Sequence, residues 1–408
     1  MTATFDPSDP SLLRDPYATF ADMRAAGGVH WCEPLSGWLA VGWDSVNAVV
    51  GNPKIFSANR IMAVHDRLRE PDRANAADVL RWLSLWMVFQ DPPNHTRLRR
   101  YLATVINPRM VATMRDSIGE ICAELLGTLP TDRPIDFFRE FGLTLPGYVV
   151  MDLLGVPRDR LAEVKQWSDE MMLFIGSSRG VEDKYGRAKH GAQSMADLFR
   201  SLIDDRRGDP RDDVLTRMIT FEVDGETLTE DELIASMMMI GNGAQETTAH
   251  LLSNGLLVMQ ENPEVATKLA ADTGGLIETS VDEFLRYDSP VLSTARLVAR
   301  DTELGGQSLK AGDRIFAMLA AANRDPAVFD KPDEIRLEGR PNGHLAFSKG
   351  VHFCLGAPLA RLEAQIAFTQ LLDKFPALTL AEPKESIPWT NSLVTHGPSR
   401  LPIVLQPA

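Results

Sequence analysis

The chain has 408 residues, with 42 Lys+Arg against 56 Asp+Glu and a formal charge of −14; phosphate binding needs clustered positive charge, so a general nucleic-acid binder is excluded. Hydrophobic residues make up 44% and charged residues 24%, the composition of an ordinary globular protein and not of a disordered or collagen-like one. Cys32, Cys122 and Cys354 are odd in number and widely spaced, which argues against a disulfide scaffold and a zinc cluster. No Gly/Ser-rich or Pro-rich linker divides the chain, so one composite domain over 1–408 is expected. The opening MTATFDPSDPSLL has neither the basic nor the apolar part of a signal peptide, and no run approaches the ~18 apolar residues that span a bilayer. A cytoplasmic protein with no membrane or nucleic-acid partner is the expectation.

Along the chain, DPYATFADMRAAG reads as a short helix, and VHWCEP and GWLAVG read as strands that Leu35-Ser36 join into a hairpin. From about 58 to 91 the pattern is irregular and carries Trp82, Trp86 and Phe89, which predicts a long binding loop. Helical periodicity then dominates to about Met259, with breaks at Pro108, Leu129-Pro130, Pro157 and the polar DDRRGDPRDD stretch. A long helix begins at Thr229, whose Thr-x-x-Glu spacing to Glu232 makes a capping box, and runs to Asn262-Pro263. It is largely apolar and so buried, yet its middle reads GNGAQETTAH. Interior glycines each cost ~0.5–1 kcal/mol, and buried amide, hydroxyl and carboxyl groups need partners, so something other than stability selects them. Beyond Pro290 come short strands, ARLVAR, TELGG and RIFAML, then a polar loop to Cys354, the helix APLARLEAQIAFTQLLDKF and closing strands. The β-rich parts are placed at about 29–60, 291–320 and 376–406, and the helical core at about 91–290 and 357–375.

Cys354 stands in FSKGVHFCLG, between Gly350 and Gly356, with a helix starting just after it. Glycines let backbone amides approach a sulfur, and a helix N-terminus adds partial positive charge that favours the thiolate. A lone cysteine is otherwise a small buried hydrophobe. The pattern FxxGxxxCxG, carried by Phe347, Gly350, Cys354 and Gly356, resembles the cysteine loop of the cytochrome P-450 family of haem-thiolate monooxygenases, soluble bacterial type. Ser348 stands where many members carry glycine. The resemblance extends over nearly the whole chain and implies the family's mainly α fold, with small β-sheets and a long central helix crossing the cofactor. It implies haem b, with Cys354 as axial iron ligand, and propionate partners at His95 and Arg99 in DPPNHTRLRR, Arg296 in STARLV and His352. Taken alone, an HxxxR pair is as readily a solvated helix face.

The GAQETT segment resembles the family's oxygen-activating motif. The resemblance makes Gly243 and Ala244 the space-leaving residues beside the cofactor, Thr247 the hydrogen-bond donor and Glu246 its link to solvent, because O–O cleavage requires proton delivery. A buried threonine bonding back to its own helix is the bland alternative. Glu283 and Arg286 match the family's ExxR pair and are expected to be structural, with NRDP at 323–326 in the same network. Substrate-contact segments are placed by resemblance at Trp86 to Phe89 with Met87, Met171 to Phe174, Met238 to Asn242 with Gly243, Leu292 to Thr294, and Leu393 to Thr395 with Val394. Such apolar, Met-rich segments suit a mid-sized, partly apolar molecule, or are simply core. The expected activity is O₂-dependent hydroxylation or epoxidation, with a ferredoxin and an NAD(P)H-dependent reductase as partners. Docking of an acidic ferredoxin asks for a basic patch, for which Arg97, Arg100, Lys349 and Arg361 are candidates. Oxidative coupling, peroxide-driven oxidation and a haem-binding sensor remain the competing readings.

Overall fold

The computed structural model describes residues 5–65, 68–175, 181–339 and 343–406. It is mainly helical, with small sheets, and its residues group into two compact units, each assembled from separate stretches of chain.

The larger unit comprises 1–56, 111–146 and 246–408. The predicted hairpin forms: Val29–Cys32 pairs antiparallel with Gly37–Ala40, and Ser36, at φ 45°, turns the chain between them. The second of these strands then pairs in parallel with Arg314–Ala317, which pairs antiparallel with Thr294–Val298. The predicted strand-rich stretch 29–60 also contains a nine-residue helix, Trp43–Gly51. Its Val46, Val49 and Val50, spaced for one helical face, pack into the same core cluster as Val29, Ala40, Ile315 and Ala317. A second sheet orders Ile135–Asp136, Pro402–Gln406 and Ala377–Leu380, with the 402–406 strand central. The first of these strands and the π-helix Phe138–Gly142 after it are not visible in the periodicity. The helix predicted after Cys354 spans Ala357–Lys374 and packs on Arg115–Thr128 and Thr273–Tyr287.

The second unit comprises 57–110 and 147–245. The expectation of a long loop over 58–91 is overturned, since this stretch folds into helices Ile61–His65 and Asp72–Leu83 and the 3₁₀ turn Met87–Phe89. Ala76, Val79, Leu80 and Leu83 are buried at helical spacing, a pattern masked by its charged neighbours. The break expected across DDRRGDPRDD also moves, because helix Lys184–Gly208 runs through the first five of those residues. Arg206 is buried there with Asp205 and Asp213 each 2.7 Å away, so the charges are partnered locally and do not end the helix. Helix Leu161–Met172 packs on Lys184–Gly208, and a Cβ at Gly191 would lie 2.3 Å from the Trp167 carbonyl, which fixes their close approach.

The long predicted helix is Glu230–Glu261, 32 residues or ~48 Å at 1.5 Å per residue. Its capping box is reciprocal: Thr229 N–H donates to Glu232 Oε2 at 3.0 Å, and Glu232 N–H to Thr229 Oγ1 at 3.3 Å. None of the helices among the described residues is long and apolar enough to cross a membrane.

Candidate active site

In the larger unit the cysteine loop is shaped by two left-handed residues, Ser348 at φ 59° and Gly350 at φ 70°. Cys354 N–H closes the loop on the Phe347 carbonyl at 2.9 Å, and Phe353 N–H on that of Gly350 at 3.1 Å. Gly350 is required twice over, by its φ and because a Cβ would come within 3.3 Å of the Val50 carbonyl. Gly356 is different. It is the N-cap of the Ala357–Lys374 helix in ordinary backbone, and a Cβ there would only touch the Cys354 sulfur at 4.0 Å. Cys354 is exposed, three residues before the first residue of that helix, and no disulfide joins any of the three cysteines. His352 is half-buried in the 3₁₀ turn Gly350–His352. Phe347 lies edge-on to Phe353 at 6.3 Å, under the Arg361 guanidinium at 4.6 Å. Arg361 donates to Asp282 at 2.6 Å. Burial opposes ionisation of Asp282, but His344 and Arg361 offset it and hold the carboxyl below its ordinary range. Arg296 is buried on its strand and donates to Thr294 Oγ1 and the Ala295 carbonyl, both at 2.9 Å.

Glu246 and Thr247 follow on the long helix. Residues 240, 243, 244 and 247, at i, i+3, i+4 and i+7, are not buried, whereas 248–259 are buried throughout. Asn242 and Glu246 are likewise not fully buried, so among the described residues the middle of the helix is least covered over 240–247. Glu246 Oε1 accepts from Thr395 Oγ1 at 3.1 Å and lies 3.5 Å from His250 Nε2. His250 lies one helical turn from Glu246, whereas the contact with Thr395 is non-local. Leu292 N–H donates to the Val394 carbonyl at 2.8 Å, so two of the segments assigned to substrate lie side by side. Leu292 and Leu393 are packed into a core cluster with Phe20, Leu39 and Met318, while Val394 is 44% exposed. Glu283 and Arg286 are buried and bonded to each other, and Arg286 also bonds the carbonyl of Asn323, the first residue of NRDP.

In the second unit His95 is buried and Arg99 half-buried, one turn apart on helix Asn94–Val105. That helix packs on the Met87–Phe89 turn, where Trp86 and Phe89 stack at 6.0 Å and Arg60 lies over Phe89 at 4.8 Å. Trp86, Met87 and Phe89 are all buried. Asn242 donates to Ser168 Oγ at 2.5 Å, and a Cβ at Gly243 would meet no heavy atom within 4 Å among the described residues. Ala244 is half-buried beside it.

The expected basic patch is corrected. Arg97 pairs with Glu232 and Arg100 with Asp224 in one unit, and Arg361 with Asp282 in the other. Lys349 lies over the Trp43 ring at 5.2 Å. Three of the four cations are thus already neutralised by carboxylates of this chain.

A family model described as Cytochrome P450 matches residues 45–402. The polyketide biosynthesis cytochrome P450 PksS of Bacillus subtilis (strain 168) is 31% identical over 98% of this chain and 98% of its own length. Cytochrome P450 monooxygenase PikC of Streptomyces venezuelae is 33% identical over 95% of this chain and 91% of its own. The solved structure of cytochrome P450 CYP109Q5 from Chondromyces apiculatus superposes with a TM-score of 0.87 at 30% identity, covering all of both chains. The chain belongs to the cytochrome P450 family, whose members are monooxygenases that bind haem b through a cysteine thiolate and take electrons from redox partners. The residues present fit that group: an exposed cysteine precedes a helix start, and on the long helix a Cβ at Gly243 would meet nothing within 4 Å among the described residues.

Proposed function

We propose that this cytochrome P450 hydroxylates or epoxidises a mid-sized, partly apolar organic molecule of secondary metabolism in the cytoplasm, with electrons from an NAD(P)H-dependent reductase delivered by a ferredoxin. The polyketide-biosynthesis name of PksS supports the substrate class. Haem b, when bound, supplies oxygen activation, with thiolate donation favouring O–O cleavage.

Cys354 is the residue to hold the iron: its Sγ sits where the partial positive charge of an 18-residue helix's N-terminus favours the thiolate. His95, Arg99, Arg296 and His352 are the candidates for the propionates, which need cationic or hydrogen-bonding partners. Thr247 holds a proton at Oγ1 on the incompletely buried stretch of the long helix. Glu246, with 35% of its side chain exposed, meets solvent while Thr395 keeps its Oε1 in place, so it can pass protons inward. Trp86, Met87, Phe89, Asn242, Gly243, Leu292, Leu393 and Val394 are the candidate substrate contacts. Of the larger unit's three, Val394 is the most accessible.

The observation that carries the monooxygenase reading is the Glu246–Thr247 pair on the incompletely buried 240–247 stretch of an otherwise largely buried helix. The test is turnover with a ferredoxin, its reductase and labelled dioxygen, beside the Thr247→Ala variant. One labelled oxygen atom enters the product, and the variant diverts electrons to hydrogen peroxide. Product formed only with added peroxide, a coupled product without labelled oxygen, or unchanged electron coupling in Thr247→Ala overturns the reading.

A further inference from the structure

His250 is fully buried and lies four residues after Glu246, with Nε2 3.5 Å from the carboxylate oxygen Oε1. Two contacts fix the imidazole. Its ring stacks on Phe138 at 5.0 Å and 17°. On the other edge lies the Gly397 backbone, so close that a Cβ there would fall 2.3 Å from Nδ1. The 395–397 segment is itself held. His396 N–H donates to the Pro290 carbonyl at 2.9 Å and Thr390 N–H to that of Gly397 at 3.0 Å. The Asn254 amide donates to the His396 carbonyl at 3.0 Å and to that of Asp288 at 3.2 Å. Glu246, His250 and Asn254 stand at i, i+4 and i+8, so one face of the helix meets this strap over two turns.

We infer that His250 is a positioning residue: with Thr395 it clamps Oε1 of Glu246, fixing the carboxylate that passes protons toward Thr247. This rests on the monooxygenase reading. The clamp has a physical logic, because an exposed glutamate samples several rotamers, and a charge-assisted N–H···O bond selects one. His250 Nε2 faces that Oε1 at 3.5 Å, an ion pair once the imidazole is protonated. Other charged groups on the packed segments have their own partners. His396 Nε2 is 3.0 Å from Asp288, which also accepts from Tyr17 at 2.7 Å. On the Phe138 helix, Glu140 accepts from Asp136 N–H, and Arg139 lies 3.6 Å from the Asp136 carboxylate. Glu246 is therefore the carboxylate that faces His250 Nε2, at 3.5 Å.

The test uses imidazole nitrogen NMR of the diamagnetic ferrous carbon-monoxide form, with His250 assigned among the eight histidines by the signal lost in His250→Phe. Replacing Glu246 with Gln removes the negative charge, which lowers the His250 midpoint by about one pH unit or more. An unmoved midpoint overturns the clamp. A second arm compares product coupling across pH. His250→Phe keeps a ring on Phe138 but has no donor, so peroxide rises several-fold and the pH inflection of the pair is lost. His250→Gln restores a donor and recovers part of the coupling. Coupling in His250→Phe equal to the parent's overturns the proposal and leaves the ring as packing. If His250→Phe fails to hold haem, the Glu246→Gln midpoint decides, with His250 then assigned through His250→Gln. A parent lacking the thiolate carbon-monoxide spectrum sinks the cofactor assignment instead, and the effect of Glu246→Gln on that midpoint is then read on the protein as purified.

Discussion

Replacing Arg286 with Lys conserves charge yet should destabilise the protein strongly, because every donor of the guanidinium is in use. Nε donates to Glu283 Oε2 at 2.8 Å and Nη2 to Glu283 Oε1 at 2.7 Å. Nη1 serves the carbonyls of Asn323 at 3.2 Å and Pro332 at 2.7 Å, and Nη2 that of Glu334 at 3.0 Å. Five donors meet five acceptors, with side-chain exposures of only 4% and 3% for the pair. Lysine has three donors, so at least two contacts are lost, and because Glu283 Oε1 also accepts from Arg336 N–H at 2.9 Å, one or two acceptors are left bare, at about 1–3 kcal/mol each and about 1–6 kcal/mol in sum. Glu283→Gln, which leaves a buried guanidinium without its counter-charge, should cost about 3–5 kcal/mol. An exposed i,i+3 pair would contribute only ~0.2–0.5 kcal/mol, and total stability is about 5–15 kcal/mol, so the two views are easily separated. Guanidinium unfolding of the haem-loaded proteins, followed by circular dichroism and compared at a common slope, measures the difference. A loss below about 1 kcal/mol for Arg286→Lys would show that the saturated network does not stabilise the fold.

Three further outcomes are expected. Cys354→Ser should abolish the thiolate band of the reduced carbon-monoxide complex, and persistence of that band would move the ligand elsewhere. Glu363, buried in the helix after Cys354, has its carboxyl pushed from 4.5 up to about 8 by burial. Its neutral form favours the fold fully below the unfolded value, and that contribution, about 5 kcal/mol at most, is lost as pH rises toward 8. Glu363→Gln should flatten the fall in stability between about pH 5 and pH 8, and unfolding midpoints with an unchanged slope would refute it. Gly397→Ala should lower stability by about 1–3 kcal/mol, since its Cβ would overlap the His250 ring; an unshifted melting temperature would mean the strap gives way freely.

Local chemistry was legible in the sequence and non-local closure was not. The Thr229 capping box was readable because both its bonds lie within four residues, and the structure holds them both. The spacing of Glu283 and Arg286 put them on one helix face, but their worth depends on carbonyls 37 to 48 residues away. The parallel pairing of Gly37–Ala40 with Arg314–Ala317 joins strands far apart in the chain, so no window could show it. Helix Asp72–Leu83 was missed although its apolar spacing was present, because charged residues dilute the signal. Charge was the least legible feature: Arg97, Arg100 and Arg361 look like a docking patch until their carboxylate partners are seen. Gly350 and Gly356 look equivalent in the motif, yet only Gly350 has a backbone that demands glycine.

The polar residues of the long helix divide by what holds them, and the division bears on function. Ser236 bonds back to the Glu232 carbonyl at 2.7 Å, Asn242 to Ser168, and the Asn254 amide nitrogen to two carbonyls at a chain turn; each of these donors is accounted for by the acceptor it serves. Glu246 does not fit that class. It is a half-buried carboxylate in the middle of the helix, where water would serve it at no cost, yet Thr395 donates to it and a fully buried imidazole faces it at 3.5 Å. Fixing one rotamer of an acid that hands on protons serves the rate directly. Lesions of the two classes should therefore part company. Asn254→Ala should lower the melting temperature and leave the peroxide fraction near the parent's. Glu246→Gln should do the reverse, and a variant pair that moved both readouts together would remove the distinction.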